Sequence, residues 1–113
     1  MKASHALRLV LVGIFLNSGT ALVASQTQAV YGQHCAMCHG QDGKADTPVG
    51  KAVKAPDLLS PLVQKKTDAE LTEIIENGKQ KMPSFKAKLK PEQVRDLVAY
   101  IRKLAKPDTT KQK

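Results

Sequence analysis

Cys35-Ala36-Met37-Cys38-His39 brings two thiols and an imidazole into five consecutive residues. C-x-x-C-H is the spacing by which a c-type haem is attached to protein. Two cysteines three apart fall on one helical turn, so their sulfurs can reach the two vinyl groups on one edge of a porphyrin. The residue after the second cysteine then hangs under the ring, where its imidazole can bind iron. Cys35 and Cys38 are therefore the expected attachment points and His39 the expected iron ligand.

Other uses of nearby cysteines fit less well. A structural zinc site needs four ligands, and beyond His5 the only candidates are His34, Cys35, Cys38 and His39, crowded together with no second pair to clamp a fold. A dithiol redox motif belongs beside a βαβ pattern, and no strand with clean alternation is visible here. A disulfide between residues three apart closes a tiny loop and stabilises little.

Iron with one histidine needs a sixth ligand or an open site, a choice that separates carriers from enzymes. After the leader described below, the methionines are Met37 and Met82. Met37 sits inside the attachment turn, as does His34, so neither reaches the opposite face of the ring. Met82 lies well downstream in Lys81-Met82-Pro83-Ser84-Phe85, where the proline restricts the local backbone. A lone methionine is usually a core residue; given a haem and no rival, Met82 is the expected second ligand.

The elements that must position these groups are short. Lys2 and Arg8 make a positive start, Leu7 to Leu16 is a largely apolar run, and small residues follow to Ser25. That is the layout of a secretory signal peptide, with cleavage expected after Ser25 and Ala21 or Ala29 as alternatives. The run is short for a membrane span; an uncleaved anchor is the competing reading. On this reading residues 1–25 are leader, 26–106 one small domain, and 107–113 a charged tail. With Tyr31, Phe85 and Tyr100 as its aromatics and no tryptophan, such a domain has little core of its own. Small domains usually need a staple, a role that covalently held haem would fill.

Helical signals dominate. Gln28 to His34 reads as a short helix entering the motif. Gly40 to Lys54 reads as a loop, broken by Gly40, Gly43, Pro48 and Gly50, and Asp57-Leu58-Leu59 as a single turn. Thr67 and Glu70 form a capping-box pattern, followed by Leu71, Ile74 and Ile75 at helical spacing and a stop at Asn77-Gly78. Pro91 suits a first helical position, and Val94, Leu97, Val98, Ile101 and Leu104 line one face up to Pro107. The expected fold is all-α, three to five helices with a long irregular loop beside the haem.

Taken together, His34 to Gly43, Ala55-Pro56-Asp57-Leu58, Asn77-Gly78 with Met82-Pro83, and Leu97-Val98-Ala99-Tyr100-Ile101 resemble the small class I c-type cytochromes of bacteria over residues 28 to 105. The resemblance implies a cytochrome c-like fold around one covalent haem c, His39 and Met82 as axial ligands, and electron transfer rather than catalysis. It further implies that the Pro56 carbonyl accepts a hydrogen bond from the His39 ring, and that Tyr31 and Tyr100 meet where the first and last helices cross. Many relatives hold the haem propionates with a tryptophan or arginine in places where this chain has neither; Asn77, Lys54 and Lys79 are the candidates.

The chain carries 18 basic and 10 acidic residues. Nothing interleaves aromatics with the basic residues to stack bases, so no nucleic-acid partner is expected. Lys79, Lys81, Lys86, Lys88 and Lys90 surround Met82, with no acid between Glu76 and Glu92. They are either a solvated loop or a face that steers acidic redox partners. The expected function is a monomeric periplasmic carrier shuttling single electrons between respiratory partners, without stable membrane insertion. The alternatives are a cytochrome subunit or electron-entry module held in a larger dehydrogenase or oxidase, and a haem enzyme or gas sensor with an open site.

Overall fold

The computed structural model describes residues 18–108. Among them the fold is all-α: α1 Ser18–His34, α2 Ala36–His39, α3 Pro48–Val53, α4 Pro61–Gln64, α5 Asp68–Asn77 and α6 Pro91–Leu104. These six segments exceed the expected three to five because α2, α3 and α4 are one or two turns each. None of the helices among the described residues is long and apolar enough to cross a membrane.

The core is set by α5 and α6 and closed by α1. Leu71 and Ile75 are buried from α5, and Val94, Leu97, Val98 and Ile101 from α6, the residues their helical spacing marks. The capping box holds as expected: the Glu70 amide donates to Thr67 Oγ1 at 3.1 Å and the Thr67 amide to Glu70 Oε2 at 2.7 Å. Gly78 ends α5 at φ +76°, and Pro91 opens α6.

α1 packs on both α2 and α6. Tyr31 is fully buried there, its ring 5.0 Å from that of Tyr100. The two tyrosines thus meet at the crossing of first and last helices, as the resemblance implied. The Tyr31 hydroxyl donates to the Gly40 carbonyl at 2.7 Å, so its burial costs no unpaired polar group. Burial also pushes the Tyr31 hydroxyl well above its ordinary titration range.

Two expectations for the local structure are corrected. Among the described residues the first helix already runs from Ser18, ahead of Gln28: Ala21, Leu22 and Ala24 carry little helical cost, and the helix extends through them. Leu22 and Val23 in that added stretch are exposed. The loop read over Gly40–Lys54 contains α3. Its Thr47 caps by accepting from the Gly50 amide at 2.9 Å, and Pro48 occupies the first turn, where its missing N–H costs nothing. Of the leader assigned to 1–25, residues 1–17 lie outside the described residues, as do residues 109–113 of the tail.

The far end of α6 is tied down by Arg102. Its guanidinium donates to the Gln64 carbonyl at 2.9 Å, to the Lys66 carbonyl, and to Asp68 Oδ1 at 2.9 Å. One side chain thereby satisfies the Gln64 carbonyl that α4 leaves open at its C-terminus and the Lys66 carbonyl just beyond it.

Candidate functional site

Cys35 separates α1 from α2 at φ −120°, yet the backbone barely breaks. The Cys35 amide donates to the Tyr31 carbonyl at 2.8 Å, and the Cys38 and His39 amides both reach the Cys35 carbonyl, at 3.2 and 2.9 Å. The C-x-x-C-H segment is therefore a single tight turn, with Gly40 leaving it at φ +78°, a conformation open to glycine. Both cysteines are free thiols, half-buried. Burial, then the neighbouring Cys38, pushes the Cys35 thiol up to about 11.

His39 is nearly sealed, 7% exposed. Its Nδ1 donates to the Pro56 carbonyl at 3.1 Å, the bond the resemblance implied. Burial lowers the imidazole's affinity for a proton and the Pro56 bond offsets part of that; the net shift favours the neutral ring, the form that binds metal. No buried side-chain nitrogen among the described residues lacks a partner. Nε2 makes no hydrogen bond, so it opens on the cavity that His39 lines. A carbonyl on the far ring nitrogen fixes tautomer and orientation, as is usual for a metal-binding histidine.

That cavity, about 350 Å³, is lined by Cys35, Cys38 and His39 from the attachment turn and by Met82 and Pro83 from the segment between α5 and α6. Val53, Ala55, Pro56 and Phe85 contribute apolar wall. The four expected site residues thus face one space. Met82 is carried there by a narrow reversal. The Lys79 amide donates to the Met82 carbonyl at 3.1 Å, the Met82 amide to the Lys79 carbonyl at 2.9 Å, and Gln80 turns the chain at φ +54°. The chain then runs back along α5: the Phe85 and Lys86 amides donate to the Ile75 and Glu76 carbonyls at 3.0 and 3.1 Å, and the Ser84 hydroxyl also donates to Glu76. These bonds fill carbonyls that α5 leaves unpaired at its C-terminus.

Two thiols one turn apart, a neutral imidazole with a free nitrogen and a thioether on one largely apolar cavity suit a covalent haem. Among the described residues, no cluster of three or more histidines, cysteines and carboxylates suggests a different metal centre.

The lysines divide. Lys79, Lys81 and Lys88 line the cavity, and so does Lys54 at the end of α3. Lys88 Nζ stands 5.9 Å from the Phe85 ring centre. Lys86 and Lys90 do not line it, and Lys90 sits instead on a separate hollow between α1 and α6 with Val23, Gln26 and Thr27. The five were neighbours in sequence, but the return of the chain along α5 and the start of α6 part them.

Two residues that sequence reading passed over support the site. Thr47 Oγ1 donates to the Met37 carbonyl at 2.8 Å, with the Cys38 carbonyl at 3.3 Å. Gly50 lets α3 close on the attachment turn, since a Cβ there would lie 2.2 Å from the Cys38 carbonyl oxygen. The signal for α3 was present in Thr47-Pro48, a cap followed by a first-turn proline; the contact to the attachment turn had none.

Known proteins with similar sequences identify the family. The family described as "Cytochrome C oxidase, cbb3-type, subunit III" matches residues 23–101. Cytochrome c6 of Nostoc sp. (strain PCC 7120 / SAG 25.82 / UTEX 2576) is 36% identical over 99 residues, 82% of this chain and 86% of that protein. The cbb3-type cytochrome c oxidase subunit CcoP of Azospirillum brasilense is 32% identical over 89 residues, 77% of this chain but 30% of the relative. Among solved structures, the KustC0563 c-type cytochrome superposes with a TM-score of 0.65 at 36% identity, over 71% of this chain and 98% of its own. The all-α fold, the thiol pair and this kinship lead to one conclusion: the chain belongs to the cytochrome c family as a small class I c-type cytochrome, a haem-c electron carrier and not an enzyme.

Proposed function

We propose that the protein is an exported, monomeric, single-haem carrier of electrons between respiratory partners. In this reading Cys35 and Cys38 form the thioether bonds, and His39 and Met82 are the axial ligands. The observation that carries it is the convergence of these four side chains on one cavity. Haem held there supplies a one-electron iron couple whose potential methionine ligation raises.

The chain's own residues do the rest. Pro56 holds the His39 ring so that Nε2 faces the cavity. The reversal at Lys79–Met82 delivers the thioether. Val53, Ala55, Pro83 and Phe85 line the cavity with apolar groups, which keeps water from the ligands. Haem iron held by both His39 and Met82 would leave no open site for oxygen or peroxide. Lys54, Lys79, Lys81 and Lys88 present cations at the mouth, suited to acidic partners. The basic start and apolar run before Ser25 support export to the periplasm.

Visible spectra of the purified oxidised and reduced protein test the reading. Methionine ligation predicts a methionine-to-iron band in the oxidised form and no carbon monoxide binding by the native reduced form; carbon monoxide binding would show an open site. For docking, the rate of reduction of an acidic partner should fall as salt rises, because the Debye length shrinks from about 10 Å at 0.1 M to about 3 Å at 1 M. A salt-independent rate removes the docking face.

A second reading has its own support. The family match and the Azospirillum relative both carry the name of an oxidase subunit, which supports reading the chain as a cytochrome subunit held in a larger complex. Co-purification of a stoichiometric oxidase or dehydrogenase from the native source would select this reading over the free shuttle.

A further inference from the structure

Thr47 touches the attachment turn from outside the motif. Its hydroxyl does two things at once. It accepts from the Gly50 amide at 2.9 Å, capping α3, and it donates to the Met37 carbonyl at 2.8 Å, with the Cys38 carbonyl at 3.3 Å. These carbonyls belong to the last residues of α2, where a helix has no internal donor left for them. The residues bearing them immediately precede His39. Gly50 makes the approach possible, because any side chain there would collide with the Cys38 carbonyl. The His39 ring therefore has two anchors from different segments: Pro56 on Nδ1 and Thr47 on the backbone that carries it.

We propose that Thr47 is a positioning residue for the iron ligand, its donated hydrogen bond holding the attachment turn so that His39 Nδ1 keeps its bond to Pro56. The proposal rests on the reading of His39 as the axial ligand. A carbonyl accepting from the far ring nitrogen makes the imidazole a stronger donor. A stronger donor favours the oxidised iron, so loosening the turn should raise the midpoint potential.

The test compares holoprotein of Thr47→Val, which keeps the shape without the hydroxyl, and Thr47→Ser, which keeps the hydroxyl. Thr47→Val should exchange the His39 ring Nδ1 proton at least threefold faster by NMR. Its oxidation equilibrium should shift about threefold, roughly 28 mV upward at 59 mV per decade. Thr47→Ser should restore both. If Thr47→Val lowers thermal stability but leaves potential and ring-proton exchange at wild-type values, Thr47 is only a helix cap and the proposal falls. Should Thr47→Val fail to accumulate, Thr47→Asp can still cap Gly50 but has no proton to donate. Threefold faster ring-proton exchange in Thr47→Asp supports the proposal, and unchanged exchange overturns it. The wild-type spectrum is the separate control: a His/Met spectrum with inert Thr47 variants sinks this inference alone, whereas a spectrum without histidine ligation sinks the reading beneath it.

Discussion

His39 and Met82 reach the same cavity from segments held in different ways. The His39 segment is enclosed. α1 leads into it, Tyr31 bonds the carbonyl of the residue after it, Pro56 bonds the ring and Thr47 bonds the turn from α3. Met82 hangs on a short reversal that begins at a glycine and is fastened back to the end of α5 by backbone bonds and by buried Phe85. One proposed ligand is over-determined by hydrogen bonds from three segments, two through side chains and one through the Pro56 carbonyl; the other depends on the conformation of a few backbone angles. A carrier benefits from an immobile histidine beside its attachment bonds, while the methionine side is where the site can be opened with the least damage elsewhere.

The largest effect should come from removing the Met82 thioether. Met82→Ala should still accumulate with covalent haem, because the His39 side is intact. It should lose the methionine-to-iron band of the oxidised form, and its potential should fall by roughly 0.1–0.3 V, within the ~0.8 V that axial ligation spans. Redox titration followed in the visible checks both. An unchanged spectrum would mean that Met82 is not the ligand and that the contrast drawn here fails.

Gly78→Ala strikes the methionine side through the backbone alone. Gly78 sits at φ +76° and ψ +169°, a region essentially reserved for glycine, and a non-glycine residue there costs about 1–3 kcal/mol. A Cβ would also lie 2.6 Å from the Met82 carbonyl oxygen, so the reversal must shift. Denaturant unfolding should show the loss, and the methionine-to-iron band should weaken with it.

Tyr31→Phe strikes the histidine side. It removes one of two donors to the Gly40 carbonyl, which keeps the Gly43 amide at 3.1 Å, costing about 0.5–1.5 kcal/mol. Because Pro56 and Thr47 still hold the turn, the ligand band should persist while stability falls. If Tyr31→Phe disturbs the spectrum as much as Gly78→Ala does, the two sides are equally fragile.

The smallest effect is at the start of α5. The Thr67 amide, then the Thr67 hydroxyl, holds the Glu70 carboxyl below its ordinary value. A depressed folded pKa contributes stability that is present above the ordinary carboxylate range and is lost as pH falls through the depressed value. Glu70→Gln keeps an acceptor but no charge. The gap in unfolding midpoint between wild type and Glu70→Gln should therefore be small at neutral pH and close on acidification.

Much of the site was legible in local order. C-x-x-C-H concentrates the proposed attachment and ligating groups in one turn, so neither thiols nor imidazole needs a distant segment to find its neighbours. The cap at Thr67, the stop at Asn77-Gly78 and the face of α6 were equally local, and the structure has them where they were read. Where local signals competed, the reading failed. Gly43, Pro48 and Gly50 hid α3, although Thr47-Pro48 is a helix start. Of the five lysines around Met82 in sequence, Lys79, Lys81 and Lys88 line the cavity and Lys86 and Lys90 do not, a division that sequence distance cannot show.

By itself the sequence determined what depends on adjacent residues: the attachment motif, the caps, the amphipathic faces and hence an all-α cytochrome. Only the tertiary structure decided which distant groups meet. Pro56 faces the His39 ring, Thr47 reaches the attachment turn, Tyr31 meets Tyr100, and Lys54 joins the cavity while Lys86 and Lys90 stay off it. The reason is physical. A turn or a helix is specified by torsions and spacing within a few residues, whereas these contacts follow from burying several short helices against one another, with each buried polar group obliged to find a partner wherever the packing places one.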